Sequence, residues 1–281
     1  MQILRTVAEL REWSRGERND GGNTIGLVPT MGALHAGHAS LIRAAVESTG
    51  FVAVSIFVNP TQFGPNEDYA RYPRNFEADC ALAKANGAHA IFAPTVEELY
   101  PAGAATFVNV EGLSSRLDGA SRPGHFRGVA TVVTKLLIAA EPDRAFFGQK
   151  DAAQVAIIRR MVTDLRIGTE IVVCPIVRES DGLALSSRNA YLSAAERGQA
   201  LVLSQAIRKV ESAFAAGERN ASTLIQSALE TFAQEPAVRA DYVELVDWST
   251  LEPIKTAAPG ALFAVAAYVG STRLIDNTVF A

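Results

Sequence analysis

The sequence predicts an α/β fold in two parts: a parallel sheet flanked by helices over 1–176 and a smaller α+β unit over 177–281. Three observations carry this. Strand and helix patterns alternate from residue 24 to residue 177, the order of a parallel sheet with crossover helices. The strand segments are continuous apolar runs, such as Phe51 to Val58, as strands covered on both faces require. After Val177 the alternation stops, and two helix patterns are followed by strand patterns.

Each element has its own signal. Met1 to Trp13 carries apolar residues at helical spacing. Thr24 to Val28 is a buried strand, and Ser40 to Ser48 a helix with Leu41, Ile42, Ala45 and Val46 on one face and Gly50 as its stop. Phe51 to Val58 is a strand, Phe76 to Asn86 a helix ended by Gly87, and Ala90 to Ala93 a short strand. Gly128 to Ala140 is a helix stopped before Pro142. Arg144 to Phe147 is a strand, Ala152 to Leu165 a helix and Glu170 to Val177 a strand. Ser193 and Glu196 form a capping box that opens a helix running to about Ala216. A helix over Ser222 to Gln234 follows, then strands over Tyr242 to Val246 and Leu262 to Tyr268 and a short one near Leu274.

Composition narrows the function classes. With 281 residues and 48% hydrophobic content, each part can bury its own core. The balance of 26 Lys+Arg against 30 Asp+Glu leaves no basic excess for binding a nucleic-acid backbone, so no nucleic-acid partner is expected. The stretch around Ala261 to Val269 is too short to span a bilayer, and the N-terminus lacks a signal-peptide core. Cys80 and Cys174 make no disulfide framework. A cytoplasmic protein without a membrane partner is expected.

The glycines exclude two common phosphate-binding loops. No lysine follows a glycine, as a P-loop demands, and none of the 21 glycines is spaced one residue from another, as a dinucleotide fingerprint demands. Four other segments sit where strands end, the place where open α/β sheets bind ligands. The first, Pro29 to His38, puts His35 and His38 beside a helix N-terminus, which attracts anions. The second, Gly148-Gln149-Lys150-Asp151 with Gln154 one turn on, offers a cation, a carboxylate and an amide. The third, Val177 to Asn189, offers Ser186, Ser187 and Arg188 as a clamp for a polyphosphate. The fourth, Asn59 to Phe63, offers neutral amides. Taken singly, the second reads first as a dipole-complementing helix start with a solvated Lys150, the third equally well as a polar connection between the two parts, and the fourth first as a simple turn.

Together, PTMGALHAGH, FVNPTQFGPNEDYARYPR, ASRPGHFRGVATVVTKL, FFGQKDAAQ, VRESDGLALSSRNAYL and GSTRLIDN resemble the pantoate–β-alanine ligase family, the pantothenate synthetases, within the His-x-Gly-His nucleotidyltransferases. They run in order from about residue 24 to residue 277. The resemblance implies a Rossmann-like N-terminal domain over 1–176 and a C-terminal lid domain over 177–281. It implies a homodimer, with pantoate and β-alanine as small-molecule substrates and ATP with Mg²⁺. It implies condensation to pantothenate through a pantoyl-adenylate, releasing AMP and pyrophosphate.

Carried onto this sequence, Met31, Gly32, Ala33, Leu34, His35, Ala36, Gly37 and His38 would bind ATP, with His38 at the family's proton-donor position. Gly148, Gln149, Lys150 and Asp151 would hold ATP, with Lys150 on the phosphates, and Val177, Leu185, Ser186, Ser187 and Arg188 would complete that site. Gln62 would contact pantoate and β-alanine, and Gln154 pantoate. His38, His35 and Lys150 are the expected catalytic groups; the resemblance assigns no Mg²⁺ ligand. Three positions depart from the family pattern: Gln149 replaces Glu, Thr61 replaces Met or Leu, and Leu185 replaces Met. Two rival readings stay open on sequence alone, another nucleotidyltransferase such as an aminoacyl-tRNA synthetase and a non-catalytic nucleotide-binding regulator.

Overall fold

The structure is a computed structural model that describes residues 1–19, 21–65 and 67–281; Asp20, and Asn66 of the FVNPTQFGPNEDYARYPR run, lie outside the described residues. The elements in chain order are β1 (Gln2–Leu4), α1 (Val7–Asn19), β2 (Ile25–Thr30), α2 (Ala36–Ser48), β3 (Phe51–Ile56), α3 (Phe76–Ala85), β4 (Ala90–Phe92), α4 (Val96–Leu99), α5 (Asp118–Ser121) and α6 (His125–Ala140). They continue with β5 (Arg144–Gly148), α7 (Ala152–Asp164), β6 (Glu170–Cys174), α8 (Ala194–Ala215), α9 (Ala221–Phe232), β7 (Val238–Asp247), β8 (Ala261–Val269) and β9 (Thr272–Val279).

Strands β1 to β6 form one sheet in the order β1-β4-β3-β2-β5-β6, and every pairing is parallel. Alternate residues serve opposite faces, as the two-residue period of a strand dictates. Ile25, Leu27, Ala53, Phe92, Ala145 and Phe147 pack with α1, α6 and α7, while Val28, Val52, Val54, Ile91 and Phe146 pack with α2 and α3. The expected helix–sheet–helix sandwich is therefore formed. The chain order reverses between β2 and β5, which makes the gap between their carboxyl ends the switch point where such sheets take ligands.

The second sheet is antiparallel, β7-β8-β9, covered on one face by α8 and α9. Phe263, Val265, Ala267 and Val269 of β8 face those helices. Leu262 and Ala264, on the opposite face of the same strand, join the core of the parallel sheet together with Val246 and Leu251. Among the described residues no helix is long and apolar enough to cross a membrane.

Several boundaries differ from the sequence reading. The N-terminal segment begins with β1, an edge strand too short to show a period, before α1 starts at Val7. Helix α2 starts at Ala36 rather than Ser40, because a histidine caps it. Helix α6 starts at His125 rather than Gly128, behind a left-handed Gly124. The last strand spans eight residues instead of a short stretch near Leu274. Its polar members Asp276, Asn277 and Thr278 are all buried, which hides the strand from an apolar pattern.

Candidate active site

Strands β3, β2, β5 and β6 are neighbours, and the segment after each carries one of the four groups singled out in the sequence. They meet around a cavity of about 230 Å³ at the switch point. Its wall includes Met31, His35, Gly37, His38, Gln62, Gly148, Lys150, Asp151, Gln154, Val177, Leu185, Ser186, Ser187 and Arg188. Gly32, Ala33, Leu34, Ala36 and Gln149 belong to the same loops without lining the wall. A second cavity, of about 600 Å³, adjoins it across Lys150, Asp151, Gln154, Ser186 and Arg188.

The histidine loop is built by the backbone of α2. His35 is the N-cap, and its Nδ1 accepts the Gly37 N–H at 3.1 Å. His38 stands at the third helical position, and its Nδ1 accepts the His35 N–H at 3.3 Å. This is a reciprocal capping box in which imidazoles replace the usual Ser/Thr and Glu. A Cβ on residue 37 would lie 2.8 Å from the His35 ring, so glycine is what lets that ring fold back over the helix start. Because a backbone N–H can only donate, both Nδ1 atoms are unprotonated and both neutral rings carry their proton on Nε2. The rings lie 4.2 Å apart. Burial, then the Lys150 cation, lowers the His35 pKa to about 4; burial, then the His35 ring, lowers that of His38 to about 3. At neutral pH the site therefore presents two uncharged N–H donors at a helix N-terminus.

The approach to α2 is clamped from a distance. Asp79 of α3, itself buried, accepts the Ala33 N–H at 2.9 Å and the Leu34 N–H at 2.7 Å. Ala33 has a left-handed backbone, φ 50°, which these two bonds hold in place. Asp79 was not expected from sequence, since nothing local ties it to a loop 45 residues away.

Gln62 is oriented by a polar chain. Its Nε2 donates to Met31 Sδ at 2.9 Å, and its Oε1 accepts from Asn59 Nδ2 at 3.1 Å. Asn59 Oδ1 in turn accepts from the Tyr100 hydroxyl at 2.9 Å, and Asn59 Nδ2 also donates to the Gly128 carbonyl at 3.1 Å. His125 donates from Nδ1 to the Gln62 carbonyl at 2.8 Å, which leaves its Nε2 to accept from Arg122 at 3.1 Å. It is thus the opposite tautomer from His35 and His38. Burial, then Arg122, lowers its pKa to about 4. Arg122 is also paired bidentately with Glu67, at 2.7 and 2.6 Å.

The Gln149–Asp151 turn and the 178–188 loop are both tied to β9. Asn277 Nδ2 donates to the carbonyls of Gln149 and Lys150, at 3.0 and 2.9 Å, and Gln149 Nε2 donates to Asn277 Oδ1 at 3.3 Å. Arg178 forks onto Asp276 at 2.7 and 2.9 Å and donates to the Gly182 carbonyl at 3.1 Å. Ser186 caps the following turn by accepting the Arg188 N–H at 3.2 Å. Among the described residues no group of three His, Cys, Asp or Glu side chains forms a metal cage.

A parallel sheet with paired histidines at its switch point and a lysine-bearing turn on the next strand defines the class: an α/β nucleotide-binding enzyme of the His-x-Gly-His type. The family model described as pantoate-beta-alanine ligase matches residues 2–279, and the chain belongs to that family of ligases. It is 62% identical to the pantothenate synthetase of Acidobacterium capsulatum, over 99% of this chain and 97% of that one. Among solved structures it is similar to pantothenate synthetase from Thermus thermophilus, with TM-score 0.93, 46% identity and 99% of both chains covered. The pantoate-beta-alanine ligase from Francisella tularensis, solved in complex with beta-gamma ATP and beta-alanine, matches with TM-score 0.79 and 34% identity over 99% of this chain and 97% of that one.

Proposed function

We propose that this ligase activates pantoate with ATP as a pantoyl-adenylate, which β-alanine then cleaves to give pantothenate and AMP. The observation that carries the reading is the pair of Nε2–H donors at the α2 N-terminus, in a cavity that also holds Lys150 and Arg188. The substrates follow from the related pantothenate synthetases and pantoate-beta-alanine ligase.

A pantoate carboxylate is ionised at neutral pH, so its attack on the α-phosphorus needs no general base. The site must align two anions and stabilise the charge that grows on the phosphate oxygens. The Nε2–H groups of His35 and His38, held at the positive end of the α2 dipole, meet that charge without carrying a net charge themselves. Lys150 and Arg188 supply the positive charge, and Gln62 and Gln154 hold pantoate beside them. His38 acts by donating a hydrogen bond from Nε2; its lowered pKa makes an imidazolium acid a poor description of it. Asp151, the carboxylate in that cavity wall, would be the residue to hold a magnesium ion, which would supply partial neutralisation of phosphate charge.

We also infer a division at 176/177, with 177–281 closing over the adenylate and keeping water from it. The separate α8–α9 core supports that division. A homodimer and a cytoplasmic setting belong to the same reading.

The test is His38→Ala. Removing a preorganised donor from developing charge costs about 10²- to 10³-fold in turnover. Adenylate formation should fall by that factor while circular dichroism stays native. Near-normal turnover in a folded variant would overturn the assignment.

A further inference from the structure

The GSTRLIDN motif carries no substrate role in the reading above, yet two of its residues touch both nucleotide loops. Asp276 and Asn277 are adjacent on β9 and only 2% and 3% exposed. Successive side chains of a strand point to opposite sides. Asp276 thus reaches Arg178 at the base of the 178–188 loop, and Asn277 reaches the backbone of the Gln149–Asp151 turn. The Asn277 N–H also donates to Asp276 Oδ1 at 2.8 Å, which locks the pair.

We propose that Asn277 is a positioning residue for nucleotide activation: its amide sets the Lys150 turn at the right distance from the Ser186–Arg188 loop, which Asp276 anchors through Arg178. This rests on the reading that Lys150 acts on the phosphates. The chemistry of the contact is selective. Nδ2 supplies two N–H groups, one to each of two successive carbonyls, and Oδ1 takes the Gln149 amide. A buried aspartate of the same shape would face two carbonyl oxygens with no proton to offer. Gln149 complements the arrangement, because its Nε2 donates to Asn277 Oδ1 where a carboxylate would repel it.

Since Asn277 lies behind the turn rather than on the cavity wall, it can act only through what the turn carries. The test is a double-mutant cycle with Lys150→Ala, measured as kcat/KM for ATP and for pantoate in the full-length enzyme. Asn277→Ala should lower kcat/KM for ATP roughly 10- to 100-fold, the loss expected from a displacement of about 1 Å. KM for pantoate should hold. On top of Lys150→Ala, the same substitution should cost less than about threefold, because its target is already gone. An equal penalty in both backgrounds, or parallel losses toward ATP and pantoate, would overturn the proposal. Asn277→Ser keeps a polar atom in the buried position and runs through the same cycle if the alanine variant does not fold. Lys150→Ala with unchanged kcat/KM for ATP would instead overturn the underlying reading of Lys150, a separate outcome.

Discussion

A histidine is an unusual N-cap, since Ser, Thr, Asp and Asn are preferred there. Here His35 and His38 spend their Nδ1 lone pairs on the start of α2, and the structural duty fixes the chemical one. The tautomer that caps the helix is the one that aims N–H groups outward. The pKa directions give this a measurable consequence. The pKa values of His35, His38 and His125 are lowered to about 4, 3 and 4 from 6.5, so the folded protein holds all three rings neutral at pH 5. An unfolded chain takes up protons on them as pH falls through 6.5. Stability is therefore complete above pH 6.5 and is lost as pH falls toward 4 and then 3. The melting temperature should drop between pH 7 and pH 5. A flat profile over that range in the wild type would contradict neutral, buried rings.

At the level of elements, the site depends on how closely α6 approaches the turn after β3. A Cβ on Gly128 would lie 2.3 Å from the Thr61 carbonyl oxygen and 2.6 Å from Gln62 Cα. Gly128→Ala should push the helix and the 60–62 turn apart, costing about 1–3 kcal/mol as overpacking does. Gln62 sits in that turn, so KM for pantoate should rise several-fold along with a lower melting temperature. An unchanged KM in a folded variant would show that Gln62 does not depend on α6. Elements such as β3, β5 and α7 were legible in the sequence because burial on one or two faces leaves an apolar period. The same holds for the site loops, which end strands and carry sparse residues such as His and Lys. The supports were not legible. Asp79, Tyr100 and Asn277 act from other elements, and their residue types carry no local signal of a long-range bond. The start of α2 lies four residues before Ser40 for a related reason: the apolar face begins at Leu41, and the cap is an imidazole, which carries no ordinary capping signal.

At the scale of the molecule, the two sheets are joined by a shared core and a charged clasp. Leu262 and Ala264 of β8 and Leu251 pack among residues of α6 and α7. Beside them Arg273 of β9 pairs with Asp118 of α5 at 2.6 Å and with Asp241 at 2.8 Å. Asp241 falls at the bulge in β7, where the register shifts between Ala240 and Tyr242. The bulge supplies the extra residue that turns this carboxylate toward the guanidinium. The proposed closing of 177–281 would have to pivot against this seam, as a small rotation over a packed surface rather than a swing on a free linker. A net charge of −4 is no obstacle to the proposed polyanionic substrate, because the cavity wall would meet it with two imidazole N–H donors and the cations Lys150 and Arg188 rather than with overall charge. Adenylate formation is the step on which every assigned role depends. The most direct measurement is exchange of labelled pyrophosphate into ATP in the absence of β-alanine. Exchange that requires pantoate is the predicted result; ATP binding with no pantoate-dependent exchange would contradict it and leave a nucleotide-binding protein without the chemistry.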